Sequence, residues 1–206
     1  LAEAVRSMEN LLSALLDVNR LESGAIEPRV QVFALEQILA PIRSDLSIAA
    51  ADKQLRLDIP VCRESARTDP RLLEVILRNL VSNAIKYTRQ GTVTVLTETS
   101  DEGLRIQVID TGIGIAAEHR ERLFDDFYQI DNPSRDKRRG VGLGLGIVRR
   151  ISALLSLPVQ VQSELGRGST FSVSVPRAMP VIAAAAAPAI SDTGRQRALQ
   201  ARRDLT

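Results

Sequence analysis

Asn79 and Asn83 stand four positions apart in a stretch of helical periodicity, so both amides project from one face, with Lys86 on nearly the same side. Amide oxygens beside an ammonium suit a hydrated Mg²⁺ held together with phosphates, because Mg²⁺ takes oxygen ligands and keeps several waters. Taken alone, the same pattern also describes a solvated polar helix face. Further on, Asp110 closes an apolar strand and precedes Gly112 and Gly114. A carboxylate can only accept hydrogen bonds, which suits an amino group such as adenine N6, and the glycines let the backbone turn tightly. Gly112, Gly114 and Ala117 also fit the G-x-G-x-x-A dinucleotide fingerprint. That alternative fails because Asp110 would repel a pyrophosphate and no repeating βαβ pattern surrounds it.

Phe124, Phe127 and Tyr128 are three of only six aromatic residues (Phe 4, Tyr 2), and a polar run over 129–139 follows them. They suit either the anchor of a basic-tipped loop or a plain hydrophobic cluster beneath one. Gly140, Gly142, Gly144 and Gly146 then alternate with Val141, Leu143 and Leu145 at the start of an apolar helix. Glycines there leave backbone N–H groups at the positive end of a helix, which makes an anion site. No Lys-Ser/Thr pair follows, so this is not a P-loop.

The elements that must position these residues follow from periodicity and punctuation. Val5, Met8, Leu12, Leu15 and Leu16 form a helical stripe ending near Gly24 and Pro28. A short strand is expected over 29–34, a helix over 35–51 and a strand over 55–59. Asp69 caps the next helix with Pro70 at its first position, and that helix runs to about Tyr87. A hairpin over 92–98 and 104–109, a helix over 143–155, and strands over 159–163 and 170–175 complete the pattern. The expected fold is α+β: a two-layer α/β sandwich, a mixed sheet with helices on one face, preceded by a long helix.

The chain has 206 residues, 44% hydrophobic and 3% aromatic, so aliphatic side chains must build one core. Its 27 basic and 25 acidic residues balance too evenly to suggest a nucleic-acid partner. Cys62 is the single cysteine, which forbids an intrachain disulfide and suits a reducing compartment. The apolar run over 179–190 is broken by Pro180 and Pro188 and is too short for a bilayer, which needs about 20 residues. Cytoplasmic placement is expected.

Read in order, the segments 79–87, 108–115, 123–128 and 140–147 resemble the N, G1, F and G2 boxes of sensor histidine kinases, and 166–171 resembles the closing G3 element. The resemblance covers roughly residues 10–176. It implies the Bergerat-type ATP-binding fold shared with type II topoisomerases, ninety-kilodalton heat-shock chaperones and mismatch-repair ATPases. It further implies ATP and Mg²⁺ as ligands and transfer of the γ-phosphoryl group to a histidine. Carried over, Asn83 would hold Mg²⁺ with Asn79 assisting, and Lys86 would face phosphate; these three would carry the catalytic contacts. Tyr87 would flank the nucleotide, Asp110 would take the adenine amino proton, and Gly112 and Gly114 would shape that pocket. Phe127 would pack at the base of the ATP lid, while Gly140, Gly142, Leu143 and Gly144 would lie around its hinge and the phosphates. Thr170 would support Asp110 from the neighbouring strand.

The ATP-hydrolysing branches of this superfamily place a glutamate, the general base for water, where Asn79 stands, so an amide there favours phosphoryl transfer. Residues 1–26 resemble the second helix of the dimerisation and phosphotransfer hairpin, with residues 1–22 a candidate homodimer contact. The catalytic domain is expected over 27–177, and an Ala/Pro-rich and basic linker or disordered tail over 178–206. The single histidine, His119, reads as a surface residue rather than the phosphoacceptor, so partners would include a separate phosphoacceptor helix and a response-regulator receiver domain. Gly146 replaces a small residue with a Cβ, expected to loosen its helix by roughly 1 kcal/mol, and Leu157-Pro158 replaces a glycine pair. A regulatory nucleotide-binding module without phosphotransfer, and a scaffold working through the first helix, remain the alternatives.

Overall fold

The computed structural model describes residues 27–100, 103–126, 128–129 and 143–178. The expected helix over 1–26, the tail over 179–206, and the candidate site residues Phe127, Gly140 and Gly142 lie outside the described residues.

The chain begins with β1 (Gln31–Ala34), α1 (Glu36–Asp52), β2 (Arg56–Asp58), β3 (Ser65–Thr68) and α2 (Pro70–Tyr87). The hairpin β4 (Thr92–Ser100) and β5 (Gly103–Asp110) follows, then a 3₁₀ turn (Ala117–His119). After α3 (Gly144–Leu155) come β6 (Val159–Glu164), β7 (Gly168–Val175) and β8 (Arg177–Ala178). The main sheet has the order β2-β4-β5-β7-β6; β2 and β4 run parallel and the other pairs antiparallel. This is the expected mixed sheet with helices on one face.

A second, three-stranded antiparallel sheet of order β1-β3-β8 was not expected. Its central strand reads Ser-Ala-Arg-Thr, with no apolar alternation, so only its pairing on both sides makes it a strand. Arg177 and Ala178, on either side of the expected boundary between the catalytic domain and the tail, belong to this sheet through Ala66 and Ser65.

Alternation along β4, β5 and β7 turns Val93, Val95, Leu104, Ile106, Val108, Phe171, Val173 and Val175 toward the helices, and all are buried. From α2 come Leu73, Ile76, Leu77 and Leu80, each wholly buried and each worth about 1.5–3 kcal/mol of burial. Asp69 caps α2 as expected, accepting from the backbone N–H of Arg71 at 3.0 Å and of Leu72 at 3.2 Å. At the end of α3, the left-handed residue that a glycine would usually supply is Ser156 (φ 54), and Leu157 turns back into the core. Among the described residues no helix is long and apolar enough to cross a membrane.

Candidate functional site

The same alternation that buries Leu104, Ile106 and Val108 carries the next inward position, Asp110, into the interior with 6% of its surface exposed. Its Oδ1 accepts the backbone N–H of Gly112 at 2.8 Å. The backbone N–H and hydroxyl of Ser169 also donate to this carboxyl. Burial pushes the Asp110 pKa up, and these three neutral donors pull it back without cancelling the rise. A carboxylate poised in this way retains acceptor capacity for a ligand's amino group.

Ser169 corrects the reading of Thr170 as the support for Asp110. In the β5–β7 register Asp110 lies opposite Ser169, whereas Thr170 pairs with Ile109. Parity therefore turns Thr170 to the opposite face from Ser169, beside Ile109 and Gln162, in an open cleft that Asp110 and Ser169 also line. The signal was present in the sequence: positions 169, 171, 173 and 175 share the core face of β7. Ser163 was missed as well. Its hydroxyl lies 3.0 Å from that of Ser169, accepts the N–H of Ile115 at 2.8 Å and approaches the Gly168 carbonyl at 2.8 Å. It ties the loop after Asp110 to the β6–β7 turn.

That loop also touches the end of α2. A Cβ on Gly112 would fall 2.7 Å from Asp110 Oδ1, 2.7 Å from the Tyr87 carbonyl and 3.0 Å from Thr88 Oγ1, so only glycine fits. Ile113 N–H donates to the Tyr87 carbonyl at 3.3 Å. Gly114 takes φ +64, and a Cβ there would lie 1.9 Å from the Glu164 carbonyl. The Lys86 ammonium rests 4.8 Å from the centre of the Tyr87 ring, and Tyr87 is 37% exposed.

One and two turns back along α2, Asn83 and Asn79 face the start of α3. Asn79 Nδ2 donates to the Val75 carbonyl at 2.8 Å, which fixes the amide with Oδ1 turned away from its own helix. A Cβ on Gly144 would lie 2.8 Å from Asn79 Oδ1 and 3.7 Å from Asn83 Nδ2. Absence of a side chain at Gly144 lets the two helices meet there. Leu143, at the N-cap of α3, provides no side-chain cap, so the positive end of this helix faces the two amides. The structure thus brings Asp110, Gly112, Tyr87, Lys86, Asn83, Asn79, Gly144 and Leu143 into one continuous path from the end of β5 to the start of α3.

The segment before the undescribed stretch is fastened to α3. Arg150 binds Asp126 with two contacts of 2.6 and 2.5 Å, and Arg149 reaches Asp125 at 3.3 Å. A Cβ on Gly146 would lie 2.3 Å from Asp126 Oδ1. The missing methyl thus makes room for an ion pair, and the expected loosening of the helix is offset by it. His119 is not the simple surface residue expected: it is half-buried, with Nδ1 2.7 Å from the Tyr128 hydroxyl.

A buried carboxylate beside tight glycines, joined along one helix to paired amides at an uncapped helix N-terminus, defines a site for a purine nucleotide with its phosphates. Residues 68–179 match the family described as histidine kinase-, DNA gyrase B- and HSP90-like ATPase, and the chain belongs to that family. It is 38% identical over 181 residues to the sensor protein GacS of Pseudomonas syringae pv. syringae, covering 82% of this chain and 20% of that protein. It is 35% identical over 171 residues to the circadian input-output histidine kinase CikA of Synechococcus elongatus, covering 81% and 23%. Among solved structures, full-length ShkA in complex with AMPPNP is 34% identical with a TM-score of 0.72, covering 84% of this chain and 37% of that one. The chain spans about a fifth of the length of these curated relatives. Its relatives are sensor histidine kinases, and the matched region is their ATP-binding catalytic domain.

Proposed function

We propose that this domain performs the phosphoryl-transfer half of a protein-histidine kinase reaction, passing the γ-phosphoryl group of Mg²⁺-ATP to a histidine on a separate helix. The observation that carries the reading is the state of Asn79. Its Nδ2 is committed to the Val75 carbonyl, and an amide cannot take a proton from water at neutral pH. ATP held beside Asn83 therefore meets no general base at this position and is spared for an incoming imidazole.

The donor set fits Mg²⁺. Asn83, with Asn79 beside it, offers amide oxygen, and no three His, Cys, Asp or Glu residues cluster among the described residues. The remaining ligands would come from phosphate oxygens and water, as Mg²⁺ prefers. When bound, the ion neutralises charge developing on the transferring phosphoryl oxygens. The residues of the chain do the positioning. Asp110 accepts the adenine amino proton, Ser169 orients Asp110, Gly112 admits the ring, Lys86 and Tyr87 flank the nucleotide, and the first turn of α3 faces the phosphates. A receiver domain is the next acceptor, residues 1–22 support pairing of two copies, and the reaction draws on cytoplasmic ATP.

Calorimetric titration with a non-hydrolysable ATP analogue, with and without Mg²⁺, tests the first half of the reading. A longer chain that carries a phosphoacceptor helix tests the second. Binding with no phosphohistidine after ATP is added would leave a regulatory nucleotide module, and no binding at all would sink both halves.

A further inference from the structure

The last four carbonyls of a helix have no partner within it and must find one elsewhere. In α2, the helix that carries Asn79, Asn83 and Lys86, each can be accounted for. The Ala84 carbonyl receives the Thr88 N–H at 3.0 Å and the Thr88 hydroxyl at 2.7 Å. The Ile85 and Lys86 carbonyls receive the ammonium of Lys53 at 2.8 and 2.7 Å, and the same ammonium reaches the Thr88 carbonyl at 3.4 Å. The Tyr87 carbonyl receives the N–H of Ile113 at 3.3 Å. One side chain from a different helix therefore closes the end of α2 at the point where it meets the adenine loop.

Lys53 is well placed for this. It is the C-cap of α1, with its N–H on the Ala50 carbonyl and the next N–H, of Gln54, on the Ala51 carbonyl. The chain then turns through Gln54 (φ 57), and Leu55 enters the core. The backbone on both sides is thus anchored, which limits the entropy lost when the side chain docks. A cation at a helix C-terminus also meets the negative end of the helix dipole.

We propose that Lys53 is a positioning residue of the nucleotide site, holding the turn Lys86-Tyr87-Thr88 against Gly112 and Ile113. The role rests on the nucleotide reading above. The Gly112 position lies against the Tyr87 carbonyl and Thr88 Oγ1, so release of this turn loosens the adenine pocket from below. Asn79 and Asn83 sit farther up the helix, where Asn79 keeps its bond to the Val75 carbonyl. Lys53 acts through backbone geometry, which distinguishes it from a lysine that attracts phosphates through space.

The test uses Lys53→Met, Lys53→Gln and Lys53→Arg, with folding checked by thermal unfolding. Adenosine and Mg²⁺-ADP are each titrated by NMR, and hydrogen exchange is read at the Thr88 and Ile113 amides. The expected result for Lys53→Met is faster exchange at both amides and a roughly tenfold loss of affinity for both ligands. Lys53→Arg, which keeps a charged multiple donor, recovers most of both, and Lys53→Gln falls between. Weaker Mg²⁺-ADP binding with unchanged adenosine binding would mean a through-space effect on phosphate and would overturn the proposal. Unchanged binding of both ligands in Lys53→Met and Lys53→Gln would overturn it too. Binding of neither ligand by the wild type would overturn the nucleotide reading itself and this role with it, which separates the two failures.

Discussion

Asp69 and Asp110 are both buried aspartates at the end of a strand, yet their surroundings push them in opposite directions. Asp69 is fully buried, and burial alone would raise its pKa. The backbone N–H groups of Arg29, Leu72 and Arg71, together with the Arg71 charge, outweigh that and hold it below the ordinary value. Asp110 has three neutral donors and a net upward shift led by burial. One carboxylate is saturated by its own chain and closes a helix. The other is left with unmet demand, which an adenine amino group can supply. The contrast marks Asp69 as a structural carboxylate and is what favours Asp110 as the proposed binding one.

The largest test of that contrast removes the saturated member. Asp69→Ala leaves the N–H groups of Arg29, Arg71 and Leu72 without their acceptor and should lower stability by about 2–4 kcal/mol in urea unfolding. Nucleotide affinity of the folded fraction should not change. A stability loss under about 0.5 kcal/mol would remove the distinction.

Asp110→Asn is the converse. Stability should stay within about 1 kcal/mol, while affinity for an ATP analogue should fall by about 1.5–3 kcal/mol, ten- to a hundredfold, by calorimetry. An equal loss in both measurements would make Asp110 a second structural carboxylate. Ser169→Ala and Thr170→Val sharpen the assignment of its support. The first should cost about 1 kcal/mol of affinity, and the second should stay within about 0.5 kcal/mol. The reverse order would restore Thr170 to the role expected from the motif.

The smallest effect is in the pH dependence. Asp110 has a folded pKa above 3.8, so just above that pH the native state keeps a proton that the unfolded chain has released. Its contribution to stability therefore falls as pH rises through this window. Nucleotide affinity should rise over the same window, because only the ionised form accepts the amino proton freely, and Asp110→Asn should flatten the profile. Asp69 has a folded pKa below 3.8; its stabilisation is present above 3.8 and is lost as pH falls through the folded value. If the Asp110-dependent part of stability (wild type minus Asp110→Asn) rose with pH in parallel with binding, this pairing would be contradicted.

Most of the main sheet and α2 could be read directly from the chain, because inward alternation in 104–110 and the Asp69-Pro70 start are local signals. The site residues on α2 were legible for the same reason: a spacing of four is a statement about one helix face. The strand Ser65–Thr68 carried no such signal, since its pairing with β1 and β8 supplies its stability. Gly146 looked like a defect in the sequence and is instead the space occupied by Asp126, a residue contributed from another segment.

The amino-acid chain carries the chemistry on offer: a carboxylate after an apolar strand, two amides on one helix face and glycines where backbones must come close. These depend on side-chain type and short spacing, which the chain carries locally. That Ser169 rather than Thr170 meets Asp110, and that Lys53 closes α2, follows from the folded arrangement. Both depend on how distant segments come together: strand register places one side chain against the carboxylate, and helix packing brings an ammonium to another helix's carbonyls.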